Sequence, residues 1–501
     1  MDIINRPRVA VIGAGVSGVV TAAHLIRAGL DVSVFERSSH TGGIWHFDER
    51  LPPEPAYPST RPSVVEYWKR SDKALEGGDG ESPVLLEHAP PGPCYESLTN
   101  NVSTPLLRTK LNAWPDGTAD FVTHKALCAY IQDTATKGGV DAVTIYNTSV
   151  EDVRKNSTSW SLRSSTLHKG EGSPVEREWE FDAVVVASGH YHSCHVPEIS
   201  GLANWKVQFP DRIMHSKSYR RSEGFEKQNV LLIGAGVSSL DIAHDLSPFV
   251  KRIFQVSRGG KFDLIPKLLP PNAVRIGEIA YFEQLNPSQH NSGHLSPLDP
   301  IPATVVLKNG QRICDIHRII LCTGYHISYP FLRHLHSDGT PAAAADETVL
   351  VTDGGQNHNL HKDIFYIPDP SLAFVGVPYY TATFTLFEFQ AIAIAAVFAG
   401  KVPLPSSSEM REEYNQKLKV KGPGRQFHSL KGDGEEIKYA KDLVNWVNAY
   451  GLDVEGHTQE WHEANSKRLQ RVRVLTQSTA EDQATLDRKQ QELLPLLKVC
   501  G

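Results

Sequence analysis

The sequence predicts an α/β fold built from two Rossmann-like domains, the second inserted into the first, with a helical appendage at the C-terminus. Two observations predict the paired domains. A strand, a glycine turn and a helix succeed one another within residues 8–36, and the same order returns within residues 229–256. A third observation predicts that the appendage is peripheral, because the chain from about Glu409 onward is charged, has helical character and contains no glycine turn of this kind. At 501 residues the chain also exceeds what one hydrophobic core usually supports.

The first unit has the order strand, turn, helix, strand. An apolar, β-branched run at residues 9–12 ends at a glycine turn, and the apolar residues then take helical spacing over residues 16–28. Gly29 ends this helix, and Asp31–Phe35 is the predicted second strand. Glu36 follows roughly 20 residues after the glycines, where a carboxylate accepts hydrogen bonds from a ribose diol. This order is typical of a dinucleotide-binding unit.

The residues of the first turn suit a pyrophosphate. Gly13 permits the tight turn, Gly15 lets the backbone approach the phosphates, and Gly18 lets the helix pack closely on the strand. The helix begins at Val16 and Ser17, where unpaired N–H groups and the positive end of the helix dipole favour anions. The unit alone does not tell which dinucleotide is bound.

Composition and charge exclude several classes of protein. The formal net charge of −6 and the pI near 6.4 give no electrostatic reason to expect a nucleic-acid partner or an anionic membrane surface. The first strand begins too early to leave room for a signal peptide, and the longest apolar stretch, residues 384–399, is too short for a bilayer and contains Glu388 and Gln390. We therefore expect a cytoplasmic protein without a membrane anchor. The cysteines form no C-x-x-C pair, which predicts neither a redox-active dithiol nor a metal site.

The second unit repeats the strand, turn and helix of the first. Its turn contains Gly234 and Gly236, and Ser238 and Ser239 follow at the start of the helix. Ser239 stands where the first unit has its third glycine, and it is small enough for the helix to approach the strand. The second unit is therefore also predicted to bind a dinucleotide.

The two units differ at the end of their second strand. The first ends in the carboxylate of Glu36, which suits a free ribose diol and would repel a 2′-phosphate. The second ends in Ser257 and Arg258, whose hydroxyl and guanidinium can bind that phosphate through charge-assisted hydrogen bonds. Arg258 could equally be a solvated arginine at a strand end. The contrast predicts one dinucleotide without a ribose phosphate and one of the NADP type.

Two strand-to-turn junctions match each other along the chain. The apolar strands at residues 182–188 and 316–322 both end in a small residue followed by glycine. The residues of the two junctions are Ser188 and Gly189 in the first and Thr323, Gly324 and Tyr325 in the second. Two such crossings suit a domain inserted into another, with the chain leaving and returning through paired strands.

Taken together, these motifs resemble the flavin-containing monooxygenases, a family of class B flavoprotein monooxygenases, and among them the soluble fungal members and the plant YUCCA enzymes. The resemblance covers residues 8–410 and includes the sequence TGGIW at residues 41–45. It also includes an FxGxxxHxxxY-type signature with Phe209, His215 and Tyr219, which departs from the family at Asp211, where the family has glycine. The signature ends in Tyr219 followed by arginine, where Baeyer–Villiger relatives have a Trp-Pro or Trp-Asp ending, and this difference favours heteroatom oxygenation.

The resemblance implies FAD in the first unit and NADPH in the second, so that an NADPH-binding domain is inserted into an FAD-binding domain. The implied domains are residues 1–207 and 326–410 for FAD, residues 208–325 for NADPH, and residues 411–501 for the helical appendage. By the family mechanism NADPH reduces FAD, dioxygen adds to give a C4a-hydroperoxyflavin, and NADP⁺ shields it until a nucleophilic substrate takes the distal oxygen. The implied partners are a small-molecule substrate and molecular oxygen, and homo-oligomerisation is left open.

The resemblance also implies a set of site residues. On this analogy Asn101, three residues after Leu98, lies near the flavin and bound NADP⁺, where its amide could hydrogen-bond the nicotinamide or the hydroperoxide. By residue type alone, Asn100 and Asn101 could equally cap a helix or a turn. The helix that starts near Phe384 would point its dipole towards the flavin ring. The implied cofactor-binding residues are Gly13, Gly15, Val16, Ser17, Gly18, Glu36, Arg37, Gly43, Ile44, Trp45, Asn101, Val150, Ser188 and Gly189 for the first unit, and His215, Ser216, Gly234, Gly236, Ser238, Ser239, Ser257, Arg258, Thr323, Gly324 and Tyr325 for the second.

The leading hypothesis is an NADPH- and oxygen-dependent flavin monooxygenase that oxygenates a nucleophilic nitrogen or sulfur centre of a small metabolite. One alternative is Baeyer–Villiger oxygenation of a ketone. Another class of alternative is a flavin-binding redox sensor without oxygenase turnover, to which the departure at Asp211 lends weight. A dithiol flavin reductase is disfavoured, since the cysteines form no dithiol motif.

Overall fold

The structure is a computed structural model that describes residues 6–68, 83–168, 170, 173–284 and 295–476. Its strands are β1 (Arg8–Ile12), β2 (Asp31–Phe35), β3 (Thr144–Ile145), β4 (Thr148–Lys155), β5 (Trp160–Thr166), β6 (Val175–Phe181), β7 (Ala183–Val186), β8 (Ser193–Cys194), β9 (Ile213–His215), β10 (Asn229–Ile233), β11 (Arg252–Val256), β12 (Ala273–Ile276), β13 (Ile279–Phe282), β14 (Val305–Leu307), β15 (Arg312–Ile313), β16 (Arg318–Leu321), β17 (Tyr325–His326), β18 (Leu360–His361), β19 (Phe365–Tyr366) and β20 (Leu372–Phe374). Its helices are α1 (Val16–Arg27), α2 (Pro83–His88), α3 (His124–Lys137), α4 (Leu202–Gln208), α5 (Val237–Leu246), α6 (Thr383–Phe398), α7 (Ser407–Lys421), α8 (Glu435–Asn448) and α9 (Gln459–Thr476).

The first sheet contains strands from both ends of the described chain, in the order β18-β19-β20-β7-β1-β2-β3. Strands β20, β7, β1, β2 and β3 are parallel to their neighbours, and β18 and β19 form an antiparallel edge. The central strand β1 is apolar because both faces of the sheet are covered, one by helices such as α1 and α6 and the other by strands β4, β5 and β6, and Val9, Ala10 and Val11 are fully buried. The strands and the helix that the first unit predicts are confirmed.

The second sheet is parallel throughout, in the order β12-β11-β10-β16-β9, and all its strands lie between β8 and β17 in the chain. Strands β8 and β17 pair with each other in antiparallel fashion, so the chain leaves the first sheet and returns to it through paired strands. The predicted insertion of one Rossmann-like domain into the other is therefore confirmed. The residue bounds given above for the domains stay predictions.

A smaller antiparallel sheet, β4-β5-β6, lies in the connection between β3 and β7. Another small sheet, β13-β14-β15, extends the inserted domain.

The C-terminal segment is helical as expected, but it is not peripheral. Helix α8 buries Ala440, Leu443 and Val444 in the same hydrophobic cluster that contains Ile394 of α6. The segment is therefore part of the principal core, and the expectation of a peripheral position is wrong. Its amphipathic helices appear charged in the sequence because only one face of each is buried. Residues 477–501, the last part of the predicted appendage, lie outside the described ranges.

None of the helices in the described ranges combines the length and the apolar character that a membrane crossing requires. Helix α6 is the most apolar of them, and it is buried between α1 and α8. Glu388 on this helix accepts a hydrogen bond from the backbone N–H of Lys110 at 2.6 Å and lies 3.1 Å from His24. These contacts explain why a polar side chain occurs within the apolar stretch.

Candidate functional site

A cavity of about 1800 Å³ opens between the two parallel sheets. The residues that follow the carboxyl ends of the central strands line it, among them Gly13 after β1, Ser188 after β7, Gly234 after β10 and Thr323 near the end of β16. Ligands of doubly wound α/β folds bind at this edge of a sheet. Because each sheet contributes its own edge, one cavity serves both Rossmann-like domains, and we call it the central cavity.

Only glycine fits the first turn. Gly13 has φ +105°, and a Cβ atom there would lie 2.7 Å from the carbonyl oxygen of Ala187. A Cβ atom on Gly18 would lie 1.8 Å from the carbonyl oxygen of Gly13, so α1 packs closely against the turn. The backbone roles that the sequence predicts for Gly13 and Gly18 thus agree with the local packing.

A second glycine segment approaches the first turn. The backbone N–H of Gly42 donates to the carbonyl of Ala14 at 3.1 Å, and a Cβ atom on Gly43 would lie 2.8 Å from the Cα atom of Gly15. Two backbone segments without side chains therefore form a cradle at the N-terminus of α1. A pyrophosphate fits such a cradle because the free N–H groups of the helix end face it.

Glu36 is held in place by the first turn. One carboxylate oxygen accepts the N–H of Ala14 at 2.7 Å, and the other accepts the N–H and the hydroxyl of Ser38 at 2.9 Å and 2.8 Å. The oxygen that accepts the N–H of Ala14 keeps a second lone pair, and Glu36 lines the central cavity. The side chain is thus fixed beside the cradle in a position that suits a ribose diol, so the residues present fit the adenosine half of FAD.

The second turn repeats the geometry of the first. Gly234 has φ +117°, and a Cβ atom there would lie 2.3 Å from the carbonyl oxygen of Cys322. Its N–H donates to Val256 of the neighbouring strand at 3.1 Å, just as the N–H of Gly13 donates to Phe35 at 2.8 Å. The turn places the N-terminus of α5 at the cavity, where it suits a second pyrophosphate.

The loop after β11 contains a residue that the sequence analysis missed. The hydroxyl of Ser257 donates to the carboxylate of Asp263, which also accepts the N–H of Gly260 at 3.1 Å. Arg258 is exposed, lines the cavity and has no acidic partner within ion-pair distance among the described residues. Arg258, and not the hydroxyl of Ser257, is therefore the group available to a ribose 2′-phosphate. The only signal for Asp263 was its position shortly after the strand end.

The two asparagines that follow Leu98 have different environments. Asn100 is buried, donates to the carbonyls of Val102 and Asp120 at 2.7 Å and 2.9 Å, and accepts the N–H of Val122 at 2.6 Å. Its role is to hold the loop. Asn101 is exposed and lines the central cavity, which leaves its amide available to a ligand.

Two histidines that line the cavity, and one buried behind its lining, stay neutral at physiological pH. Burial, together with the charge of Arg425, lowers the pKa of His190 to about 4. Burial and the neighbouring His326 likewise lower the pKa of His195 to about 4. His215 is fully buried, and burial lowers its pKa to about 3. None of the three is suited to carry a proton in a reaction near pH 7.

The structure brings most of the predicted site residues together. The predicted residues that line the central cavity are Gly13, Gly15, Val16, Ser17, Glu36, Arg37, Gly43, Ile44, Trp45, Asn101, Val150, Ser188, Gly189, Ser216, Gly234, Gly236, Ser238, Ser257, Arg258, Thr323, Gly324 and Tyr325. The other predicted residues, Gly18, His215 and Ser239, lie behind those that line the cavity. Ser239 accepts a hydrogen bond from Gln255 at 2.7 Å, and His215 accepts the N–H of Lys217 at 3.1 Å, so both have structural partners. The binding roles of the whole set stay predictions.

The N-terminus of α6 lies at the cavity and also contacts the C-terminal segment. Thr381 and Thr383 line the cavity, but the N–H of Ala382 donates to the buried carboxylate of Glu436 at 2.6 Å. Glu436 is in turn paired with Arg468 of α9 at 3.0 Å. A negative charge from the C-terminal segment therefore already occupies part of this helix end.

Comparisons with known proteins agree with this geometry. The chain matches the family described as flavin-binding monooxygenase-like over residues 88–267 and 300–451, and the NAD(P)-binding Rossmann-like domain family over residues 11–60. It is 46% identical over 493 residues to the flavin-containing monooxygenase ustF2 of Aspergillus flavus, covering 93% of this chain and 98% of that protein. It is 28% identical to the flavin-containing monooxygenase iboF of Amanita muscaria, covering 88% of each protein.

Solved structures show the same fold. The S-allyl-L-cysteine S-oxygenase from Allium sativum superimposes with a TM-score of 0.66 and 25% identity, covering 98% of this chain and 99% of that chain. Tmm from Pelagibacter sp. superimposes with a TM-score of 0.64 and 20% identity, covering 87% and 86%. FAD and NADPH are the cofactors that this family and the NAD(P)-binding domain imply, and the two turns fit them. The chain therefore belongs to the flavin-binding monooxygenase-like family.

Proposed function

We propose that this protein is an NADPH- and oxygen-dependent monooxygenase that transfers one oxygen atom to a nucleophilic nitrogen or sulfur of a small molecule. The observation that carries the proposal is the central cavity, which joins a unit with Glu36 after its second strand to a unit with Arg258 after its second strand. In the reaction NADPH, a proton and dioxygen are consumed. One oxygen atom goes to the lone pair of the substrate, and the other leaves as water with formation of NADP⁺.

The protein's own residues bind and orient in this proposal. The first turn and Glu36 hold the resident dinucleotide, whereas the second turn and Arg258 hold the one that is exchanged. Asn101 is the polar side chain that we assign to the reacting region, where its amide can hydrogen-bond a carboxamide or an oxygen. FAD supplies the redox chemistry when bound, so no acid–base pair of side chains is needed. His190 and His195 are neutral near pH 7, which agrees with a reaction that needs no acid–base pair of side chains.

Two observations favour a heteroatom as the acceptor of oxygen. The relative from Allium sativum is an S-oxygenase by its description, and it covers 98% of this chain. The residue after the signature tyrosine is Arg220, which is buried and donates to the carbonyls of Gly92 and Lys217 at 3.1 Å and 2.9 Å. Arg220 therefore anchors the loop, and the signature ends in Tyr219 and Arg220 where Baeyer–Villiger relatives have Trp-Pro or Trp-Asp.

The departure at Asp211 gives little support to a sensor without turnover. Asp211 is not among the described residues with positive φ, so the loop does not require a glycine there. Its carbonyl accepts a hydrogen bond from Arg318, and β9 continues directly into His215. The signature segment thus forms without the backbone strain that arises where another residue replaces a glycine of positive φ.

The test is an oxygen-isotope experiment with three probes: a thioether, a primary amine and a cyclic ketone. The protein with FAD is incubated with NADPH and ¹⁸O₂, and the products are analysed by mass spectrometry. We expect one ¹⁸O atom in the S-oxide or the N-hydroxylated product, with about one NADPH consumed per product, and no labelled ester from the ketone. A labelled ester as the main product would instead assign the Baeyer–Villiger reaction. Hydrogen peroxide as the sole product with every probe would contradict an oxygenase.

A further inference from the structure

The cationic side chains of the central cavity differ in whether they have acidic partners. The cations that line it are Arg37, Arg50, Arg258, Lys308, Arg425, Lys431 and Arg468. Three of them form ion pairs, with distances of 2.6 Å for Arg50 and Asp48, 2.9 Å for Lys308 and Glu278, and 3.0 Å for Arg468 and Glu436. Cations already neutralised by the protein are poor ligands for a further anion.

The other cations divide by position. Arg37 directly follows Glu36 beside the first turn, and Arg258 lies in the loop after β11 beside the second turn, so both belong to the dinucleotide sites. Arg425 and Lys431 belong to the C-terminal segment, which neither Rossmann-like motif includes. Neither has an acidic side chain within ion-pair distance in the described part of the chain. We call Arg425 and Lys431 the cation pair.

Aromatic rings support the cation pair from one side. The guanidinium carbon of Arg425 lies 5.0 Å from the centre of the Phe262 ring and 5.8 Å from that of Tyr379. The ammonium of Lys431 lies 5.5 Å from the centre of the Tyr380 ring. A ring face holds a cation without using its N–H groups, which remain free to bind an anion in the plane. The rings are therefore a platform for the cations and not substitutes for an anionic partner.

The backbone that carries the cation pair is fixed against the cavity wall. The N–H of Leu430 donates to the carbonyl of Tyr379 at 3.0 Å, and the N–H of Gly424 donates to the side chain of Gln356 at 2.7 Å. Between the two cations, the ring of fully buried His428 contacts the carboxylate of Asp363 at 2.9 Å. The segment is thus held by buried polar contacts on both sides, which pre-organises the positions of Arg425 and Lys431.

A carboxylate fits this arrangement. The guanidinium of arginine binds the two oxygens of a carboxylate in a fork, and the ammonium of lysine adds a second positive charge. The cation pair lines the same cavity as Asn101, so a substrate bound there has no wall between it and the reacting region. A phosphate of NADPH offers similar chemistry, but the second turn and Arg258 already provide for those groups.

Resting on the monooxygenase function proposed above, we propose that Arg425 and Lys431 bind the carboxylate of the substrate. The substrates are then carboxylate-bearing, amino-acid-like nucleophiles whose nitrogen or sulfur is oxygenated elsewhere in the same cavity. The C-terminal segment supplies substrate recognition, and the two Rossmann-like domains supply the cofactors.

The test compares binding of matched ligands to the protein loaded with FAD and NADP⁺. The probes are S-allyl-L-cysteine and L-methionine, each beside its amide, which keeps the amine and thioether but removes the carboxylate charge. Calorimetric titration should show tighter binding of the acids than of the amides to the unaltered protein. Arg425→Met should weaken the binding of the acids by roughly 10- to 100-fold and leave the binding of the amides unchanged. The reason is that the charge-assisted hydrogen bonds from the guanidinium to the carboxylate are lost. Lys431→Met should have a smaller effect of the same kind.

Lys438→Met is the matched control, since Lys438 is exposed and lies outside the cavity lining. This variant should bind both the acids and the amides as the unaltered protein does. Equal binding of acids and amides to the unaltered protein would overturn the proposal. It would also be overturned if Arg425→Met weakened NADP⁺ and left the difference between acid and amide intact, because the anion would then be a cofactor phosphate. Failure of the proposed function is separate, as it would appear as selective binding of the acids without transfer of ¹⁸O to them.

Discussion

The loop after β11 shows how single residues divide the work at the second turn. Ser257, Arg258 and Asp263 lie within one short segment, and the hydroxyl of Ser257 is already engaged by the carboxylate of Asp263. That carboxylate also places a negative charge near the expected phosphate. The guanidinium of Arg258 must therefore offset a nearby acid as well as bind the ligand, which makes it the main determinant of discrimination between NADPH and NADH.

Arg258→Ala should weaken the binding of NADPH by roughly 10- to 150-fold and change the binding of NADH little. The reason is that only NADPH carries the 2′-phosphate that the guanidinium binds. The measurement is the dissociation constant of each nucleotide, from titration of the protein loaded with FAD. Glu36→Ala is the reciprocal variant, which should lose FAD and not nucleotide selectivity. Equal losses of affinity for NADPH and NADH in Arg258→Ala would contradict the assignment of the second turn to NADPH.

Residues whose roles depend on local backbone could be predicted from the sequence. Gly13 and Gly234 occupy turns in which a Cβ atom would collide with the next strand, and the spacing of glycines reports this requirement directly. Asp263 could not be predicted in the same way. Its partner Ser257 is reached only because the intervening loop folds back, and no periodic pattern encodes such a bend.

At the scale of elements, a buried polar network ties α7 to the first sheet and to the segment of Arg425. Asp363, which follows β18, contacts Lys417 of α7 at 2.6 Å and His428 at 2.9 Å, and its side chain is fully buried. Burial alone would raise the pKa of Asp363, but the charge of Lys417 and the hydrogen bond from His428 hold it well below its usual range. Burial lowers the pKa of His428, so the imidazole stays neutral. Protonation of either group thus favours the unfolded chain.

Asp363→Asn should lower the stability at pH 7 by about 3 kcal/mol, since it removes the buried charge that pairs with Lys417. The folded-state pKa of Asp363 lies below the unfolded value of about 3.9, so its contribution is complete above that pH and is lost as the pH falls through the folded-state value. The gap in urea midpoint between variant and unaltered protein should therefore narrow below about pH 4. Asp433→Asn, which breaks an exposed pair with Arg473, should cost less than about 1 kcal/mol. A gap for Asp363→Asn that widens on acidification would contradict this account.

At the scale of the whole molecule, the C-terminal segment connects to the site through contacts that local patterns do not encode. The sequence predicts both parallel sheets and the inserted domain, because apolar strands and glycine turns are local features. It does not predict that Arg425 packs on Phe262, nor that Glu436 accepts the N–H of Ala382 at the start of α6. Those pairs are distant in the chain, and their residues occur in charged stretches that resemble any solvated helix face. For this reason the sequence alone predicts a peripheral position for the segment.

The pair formed by Glu436 and Arg468 tests whether α9 is integral to the molecule. Burial raises the pKa of Glu436, and the charge of Arg468 opposes that rise. Arg468→Met leaves a buried carboxylate unpaired at the end of α6, which should cost about 3 kcal/mol and weaken retention of FAD. Because the unpaired carboxylate can be relieved by taking up a proton, the loss should be larger at pH 8 than at pH 5.

A double-mutant cycle separates this charge effect from lost packing. Arg468→Met combined with Glu436→Gln removes both charges, so the double variant should recover most of the stability that Arg468→Met loses. Arg108→Met, which breaks an exposed pair with Glu460, is the matched control and should cost less than about 1 kcal/mol. The measurements are urea midpoints and FAD content at pH 5 and pH 8. Additive losses in the double variant, or a loss that does not depend on pH, would show that Arg468 acts through packing, and the buried charge would then have no part in joining α9 to the cofactor-binding domain.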